Sequence, residues 1–289
     1  MTWGEVEAGI GRRAAAVAGA AVVAGAAAVA TGLGEGSRSR TIAALIASWL
    51  FFAGLAAGAV AFRAFFRIVH ARWARRLVVL GGIQASFLPA AAGLLVLVLA
   101  WGFRAPWVAE PTGWLSPGNL ATRQLVANAT LLGLAYFGIR GRADRQDGPS
   151  AAMAIAYCIA FAVVLSLWAF DFVLGPDPIW GSTLIGAYLF TAAFLAGTGG
   201  TILVALGLGA LGERERRDAG ALVFALSIFW VYLVWSQFLT MWYANLPEEI
   251  AFGIRRASDG WGSVLFAAIV LVFVVPFFGL IHHAGRRWT

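Results

Sequence analysis

The chain has 289 residues, 61% of them hydrophobic and 12% charged, with a mean hydropathy of +0.82, a balance that excludes a water-soluble domain of this length. All 21 basic residues are arginine and the formal net charge is +7, but their clustering in loops, described below, points to membrane orientation rather than to nucleic-acid binding. The single cysteine, Cys158, excludes an internal disulfide, a thiolate-held iron–sulfur cluster and a CxxCH haem attachment within this chain.

Apolar runs near twenty residues recur along the sequence, each long enough as a helix for about 30 Å of hydrocarbon. A membrane β-barrel would instead alternate apolar and polar residues. The expected fold class is therefore all-α, a polytopic membrane protein. Its eight predicted spans lie at 12–33, 42–62, 77–101, 120–139, 151–173, 183–208, 219–243 and 262–283. The first follows Arg12 and Arg13 and is rich in Ala and Gly; it reads as an uncleaved helix that packs through close backbone approach.

Fifteen arginines fall at the two termini and in the loops 63–76, 140–149 and 213–218. Positive charge is retained on the cytoplasmic side, so both termini are expected there, with Asp177, Glu248 and Glu249 on the opposite side. Between spans three and four, Trp101, Trp107 and Trp114 with Pro106, Pro111 and Pro117 make a loop suited to the outer headgroup layer, where it caps a site or simply anchors. The basic segment from Arg140 to Pro149 divides the chain into two groups of four helices, 1–143 and 144–289, with no evident repeat between them. The cytoplasmic half offers Gln84, Ser86 and Tyr157 but no carboxylate within a span.

Span five closes on Phe170-Asp171-Phe172, and Asp171 is the one ionisable residue plainly inside an apolar run. Carboxylates are costly to keep at that depth, which suits a proton acceptor; the alternative is a hydrated group, or one paired with an arginine such as Arg123 to fix helix packing. Asp177, between two prolines, reads as a turn former. The Gly197-Thr198-Gly199-Gly200 run lies inside span six with no strand before it, and close helix packing explains it better than phosphate binding. His70, His282 and His283 sit at the cytoplasmic ends of spans two and eight, a poor arrangement for a metal or a haem.

Span seven ends Trp235-Ser236-Gln237-Phe238-Leu239-Thr240-Met241-Trp242-Tyr243-Ala244-Asn245-Leu246-Pro247-Glu248-Glu249. At about 100° per residue, Tyr232, Ser236, Thr240 and Tyr243 share one quarter of the helix, away from Trp235 and Trp242. Pro247 breaks the helix, and Asn245 is placed to cap a new turn beginning with the two acids. With Asp171 and Tyr188, the groups Ser236, Gln237, Tyr243, Glu248 and Glu249 are expected to line one polar region near the outer leaflet. In it Asp171, Glu249, Glu248 and Tyr243 are the proton-transfer candidates. Gln237, Ser236 and Tyr188 are candidates for holding a quinone head or relaying a proton. Capping and the helix dipole explain Glu248 better than proton transfer does and Glu249 equally well, and bonds to neighbouring helices explain the others.

The Trp235 to Glu249 run, together with Phe170-Asp171 and Asp177-Pro178-Ile179-Trp180-Gly181-Ser182-Thr183-Leu184-Ile185-Gly186-Ala187-Tyr188, resembles the second NrfD-like membrane subunit of bacterial alternative complex III, a quinol:electron-acceptor oxidoreductase. The likeness covers residues 165–256, with Gly175-Pro176 standing where the family has Ser-Leu, and fits a short version of eight helices. It implies two four-helix bundles in the bacterial inner membrane beside a sister NrfD-like subunit, a peripheral iron–sulfur protein and haem c subunits. It also implies a chain without a redox centre of its own, whose carboxylates serve proton movement or a quinone-side pocket. Two other readings are a secondary transporter working at the break near Pro247, which requires a matching break in the other half, and a purely structural anchor.

Overall fold

The computed structural model describes residues 12–32, 38–102, 113–140, 150–177, 180–258 and 260–285, and over these the chain is helical apart from turns and short connections. Helix α1 is Arg12–Gly32, α2 Arg38–Ile68, α3 Arg75–Ala85, α4 Leu88–Gly102 and α5 Pro117–Gly133. Then come α6 Ala151–Trp168, α7 Ile185–Gly207, α8 Glu213–Ala244, α9 Pro247–Ala257, α10 Trp261–Ile269 and α11 Val275–Gly285. Helices α5 and α6 run on through wide π turns, Leu134–Arg140 and Ala169–Leu174, and a third, Val270–Val274, joins α10 to α11. Among the described residues, five helical stretches are long and apolar enough to cross a membrane: Arg38–Ile68, Ala151–Leu174, Ile185–Gly207, Glu213–Ala244 and Trp261–Ile281.

Helix α2 is the hub. Its face Ala53, Gly54, Ala56, Ala57, Gly58 and Ala59 is buried, and side chains this small let a neighbouring backbone come close. That neighbour is chiefly α7, with α6, α3 and α4 around the rest. At the crossing, a methyl on Gly58 would overlap the Ala193 carbonyl and one on Gly197 would overlap the backbone of Gly58 and Ala59. Gly197 of the glycine run in α7 is thus a packing device. The largest helix contact joins residues on opposite sides of position 143.

Aromatic groups fill the centre, and two of them, Trp49 and Tyr157, satisfy their polar tips on backbone. Trp49 donates its indole N–H to the Ala91 carbonyl at 2.8 Å, and Tyr157 its hydroxyl to the Ala57 carbonyl at 3.0 Å. The rings of Trp49 and Trp168 lie 4.5 Å apart.

Three sequence expectations change. The predicted span 77–101 is two helices, because Pro89 has no N–H to continue the ladder and suits a helix start; Phe87 donates to the Gln84 carbonyl at 3.0 Å and its own carbonyl accepts from Ala91 at 2.9 Å. Helix α1 exposes Val22 and Val23, and a methyl on its Gly25 would meet nothing; its link to α2 is the Thr41 hydroxyl donating to the Gly32 carbonyl at 2.8 Å. Asn245 ends α8 instead of capping α9: its φ of 51° is left-handed, a conformation Asn tolerates, and its N–H donates to Met241 O at 3.2 Å. Pro106, Trp107 and Pro111, the 141–149 segment and the side chains of Trp101, His282 and His283 lie outside the described residues.

Candidate functional site

Asp171 sits in the wide turn that continues α6, where Gly175 N–H reaches back five residues to the Phe170 carbonyl at 3.0 Å. Such turns shift the side chains that follow them and recur at functional sites. Asp171 is 3% exposed as a residue, and its carboxylate receives four hydrogen bonds. Arg123 donates from Nε to Oδ2 at 3.0 Å and from Nη2 to Oδ1 at 2.7 Å, a two-pronged pair. The Trp114 indole donates to Oδ1 at 3.0 Å, and the Gln124 amide makes a short bond to Oδ2.

The partners are themselves held. Arg123 lies over the Trp114 ring at 3.9 Å and donates from Nη1 to the Trp114 carbonyl at 3.2 Å. Asn128 donates to the Gln124 carbonyl at 2.8 Å and lies 3.4 Å from its amide oxygen. Because every group facing Asp171 is a donor, the arrangement matches a carboxylate that only accepts. For Asp171 to take up a proton, one of these donors has to swing away. The pairing with Arg123 that the sequence left open is present.

The remaining sequence-chosen groups do not join this cluster. Gln237 accepts a short hydrogen bond from the Ser182 hydroxyl, which also accepts from Leu184 N–H at 3.2 Å, so Gln237 ties α8 to the turn before α7. Tyr188 packs its ring 5.8 Å from that of Trp230. Ser236 is half-buried, Tyr243 is 85% exposed and Glu248 is exposed. Glu248 and Glu249 occupy the first turn of α9, where the helix dipole favours acids. Asp177 accepts from Arg255 at 2.5 Å, pinning the α6–α7 connection to α9.

An apolar cluster explains the separation. Ala169, Trp180, Ile185 and Phe252 are buried together with Met241 against them, and Trp180 stacks on Phe252 with ring centroids 3.5 Å apart. The end of α6 therefore meets α7, α8 and α9 through hydrophobic contact, whereas its polar face meets α5. The predicted single pocket resolves into an Asp171 cluster, a Ser182–Gln237 pair and an Asp177–Arg255 pair.

Trp114 and Gln124 are site residues that the sequence reading did not select. Gln124 carried a signal in its place next to Arg123 within a predicted span, and the structure buries it fully. Among the described residues no group of three His, Cys, Asp or Glu side chains could hold a metal ion. No protein-family model matches the chain, and no curated protein matches it.

Proposed function

We propose that the chain is an integral membrane subunit of a quinol-oxidising complex of the alternative complex III type, with no redox centre of its own. In this reading eight helices cross the bacterial inner membrane as two groups of four and both termini are cytoplasmic. The partners are a sister NrfD-like subunit, a peripheral iron–sulfur protein and haem c subunits. Quinol oxidation releases protons as electrons leave for the partner's centres, and this chain contributes proton transfer, a quinone-side pocket and a scaffold. The sequence likeness over 165–256 supports the assembly. The observation that carries the local role is Asp171, a buried carboxylate at the end of an apolar helix, held by donors from Trp114, Arg123 and Gln124.

Purification in mild detergent tests the assembly: a haem c protein and a second NrfD-like chain are expected to co-purify, and isolation of the chain alone removes the reading. In complexes that still assemble, Asp171→Asn is expected to slow quinol turnover, with Glu249→Gln as the companion variant. A second reading, a purely structural anchor, is favoured by the two-pronged Arg123–Asp171 bond. Unchanged turnover in both variants with intact assembly selects it.

A further inference from the structure

Helices α5 and α6 are held together at the Asp171 cluster but part below it, leaving a cleft of about 1030 Å³. One end is lined by Trp114, Asn119, Thr122 and Arg123; towards the other the lining is apolar as far as Leu134 and Ala156 save for Thr130, whose hydroxyl donates to the Val126 carbonyl at 2.9 Å. From Asn119 to Leu134 this is about 20 Å of helix at 1.5 Å per residue. Three alanines, Ala127, Ala156 and Ala160, line the cleft where larger side chains would close the helices together, while Val126, Ile159 and Val163 stand exposed along it. The result is a polar head end with a long apolar trough.

Charge selects the occupant. Among the described residues Arg123 is the one charged residue lining the cleft, and its positive charge is matched by Asp171, whose side chain is 0% exposed. Its Nε and Nη2 point to that carboxylate and Nη1 to the Trp114 carbonyl. A lipid phosphate would therefore find no uncompensated cation here, and bringing an anion to a neutral, partly desolvated pair is unfavourable. An uncharged ring with carbonyl acceptors suits what remains: the exposed Thr122 hydroxyl, the second N–H of the Asn119 amide, whose first donates to the Gly113 carbonyl at 2.6 Å, and the half-exposed Trp114 indole face.

We propose that this cleft binds an uncharged amphiphile with one long tail, its ring at Trp114, Asn119 and Thr122 and its tail along the α5–α6 alanines. The choice of an isoprenoid quinone within that class rests on the functional reading above. The site is separate from Gln237, Ser236 and Tyr188, and it places the ring beside the Arg123–Asp171 pair.

Photolabelling of the full chain in phosphatidylcholine nanodiscs with an azido-menaquinone tests the proposal. Label is expected on peptides covering 114–130 and 156–167. Thr130→Phe, at an exposed lining position, and Ala160→Phe are each expected to lower it by about tenfold. Label elsewhere, label indifferent to both variants, or displacement by phosphatidylglycerol as effective as by unlabelled menaquinone overturns it. The readout is binding to the isolated chain. Label in the cleft without co-purifying redox subunits keeps this site and removes the assembly, and redox subunits with label elsewhere do the reverse.

Discussion

At Asp171, the energetics of a buried ion pair decide what a substitution does. Removing one member leaves the other charge desolvated and unpaired, which typically costs about 3–5 kcal/mol, whereas removing both is far milder. Arg123→Gln should therefore lower the thermal unfolding midpoint of the detergent-solubilised chain more than the Arg123→Gln/Asp171→Asn double variant does. A loss in the double variant equal to the sum of the losses in Arg123→Gln and Asp171→Asn would mean that the pair contributes nothing beyond its separate residues. The same chemistry explains why the sequence exposed Asp171 but not its setting: a lone carboxylate in an apolar run is conspicuous, while its partners lie 47 to 57 residues away in the chain. Trp114 reads as part of a loop that caps a site or simply anchors, and only the approach of α5 to the end of α6 turns its indole N–H into a ligand of that carboxylate.

Among the elements, the α2–α7 crossing bears the sharpest expectation. A methyl on Gly197 has nowhere to go but into the α2 backbone, whereas one on Gly199, two residues on, meets open space. Gly197→Ala should destabilise by about 1–3 kcal/mol, the usual cost of overfilling a packed contact. Gly199→Ala should be neutral or stabilising, because alanine is the better helix former. Unfolding in graded denaturing detergent separates the two, and equal behaviour would refute the close crossing. Apolar runs made most helices legible, since length and hydropathy alone require a helix in hydrocarbon. Helix faces were less legible. Thr240 sits on the polar quarter of α8 yet donates to the Gln237 carbonyl of its own helix at 2.9 Å, a bond that lets a hydroxyl face apolar surroundings without any pocket. Helical spacing shows which residues share a face; it does not show which helix that face meets.

Across the whole molecule, burial falls away from α2 towards the last helices. Of the apolar stretch Trp261–Ile281, none of the window long enough to span is buried, against 61% for α2. It rests chiefly on α8, through contacts such as Phe224 with Phe277 and Leu280 with Gly220. Phe266, Leu271 and Phe278 are 67–69% exposed, and in a bilayer that surface faces lipid tails or another subunit. A carbene reagent dissolved in the lipid of nanodiscs should therefore label Phe266, Leu271 and Phe278 heavily in the isolated chain and leave Trp49, Phe161 and Trp168, each at most 3% exposed, unmarked. Heavy labelling of Trp49 or Trp168 would break the hub arrangement around α2. Repeating the measurement on the assembled complex maps the neighbour: protection confined to the α10–α11 surface identifies it as a subunit interface, and undiminished labelling leaves that surface to lipid.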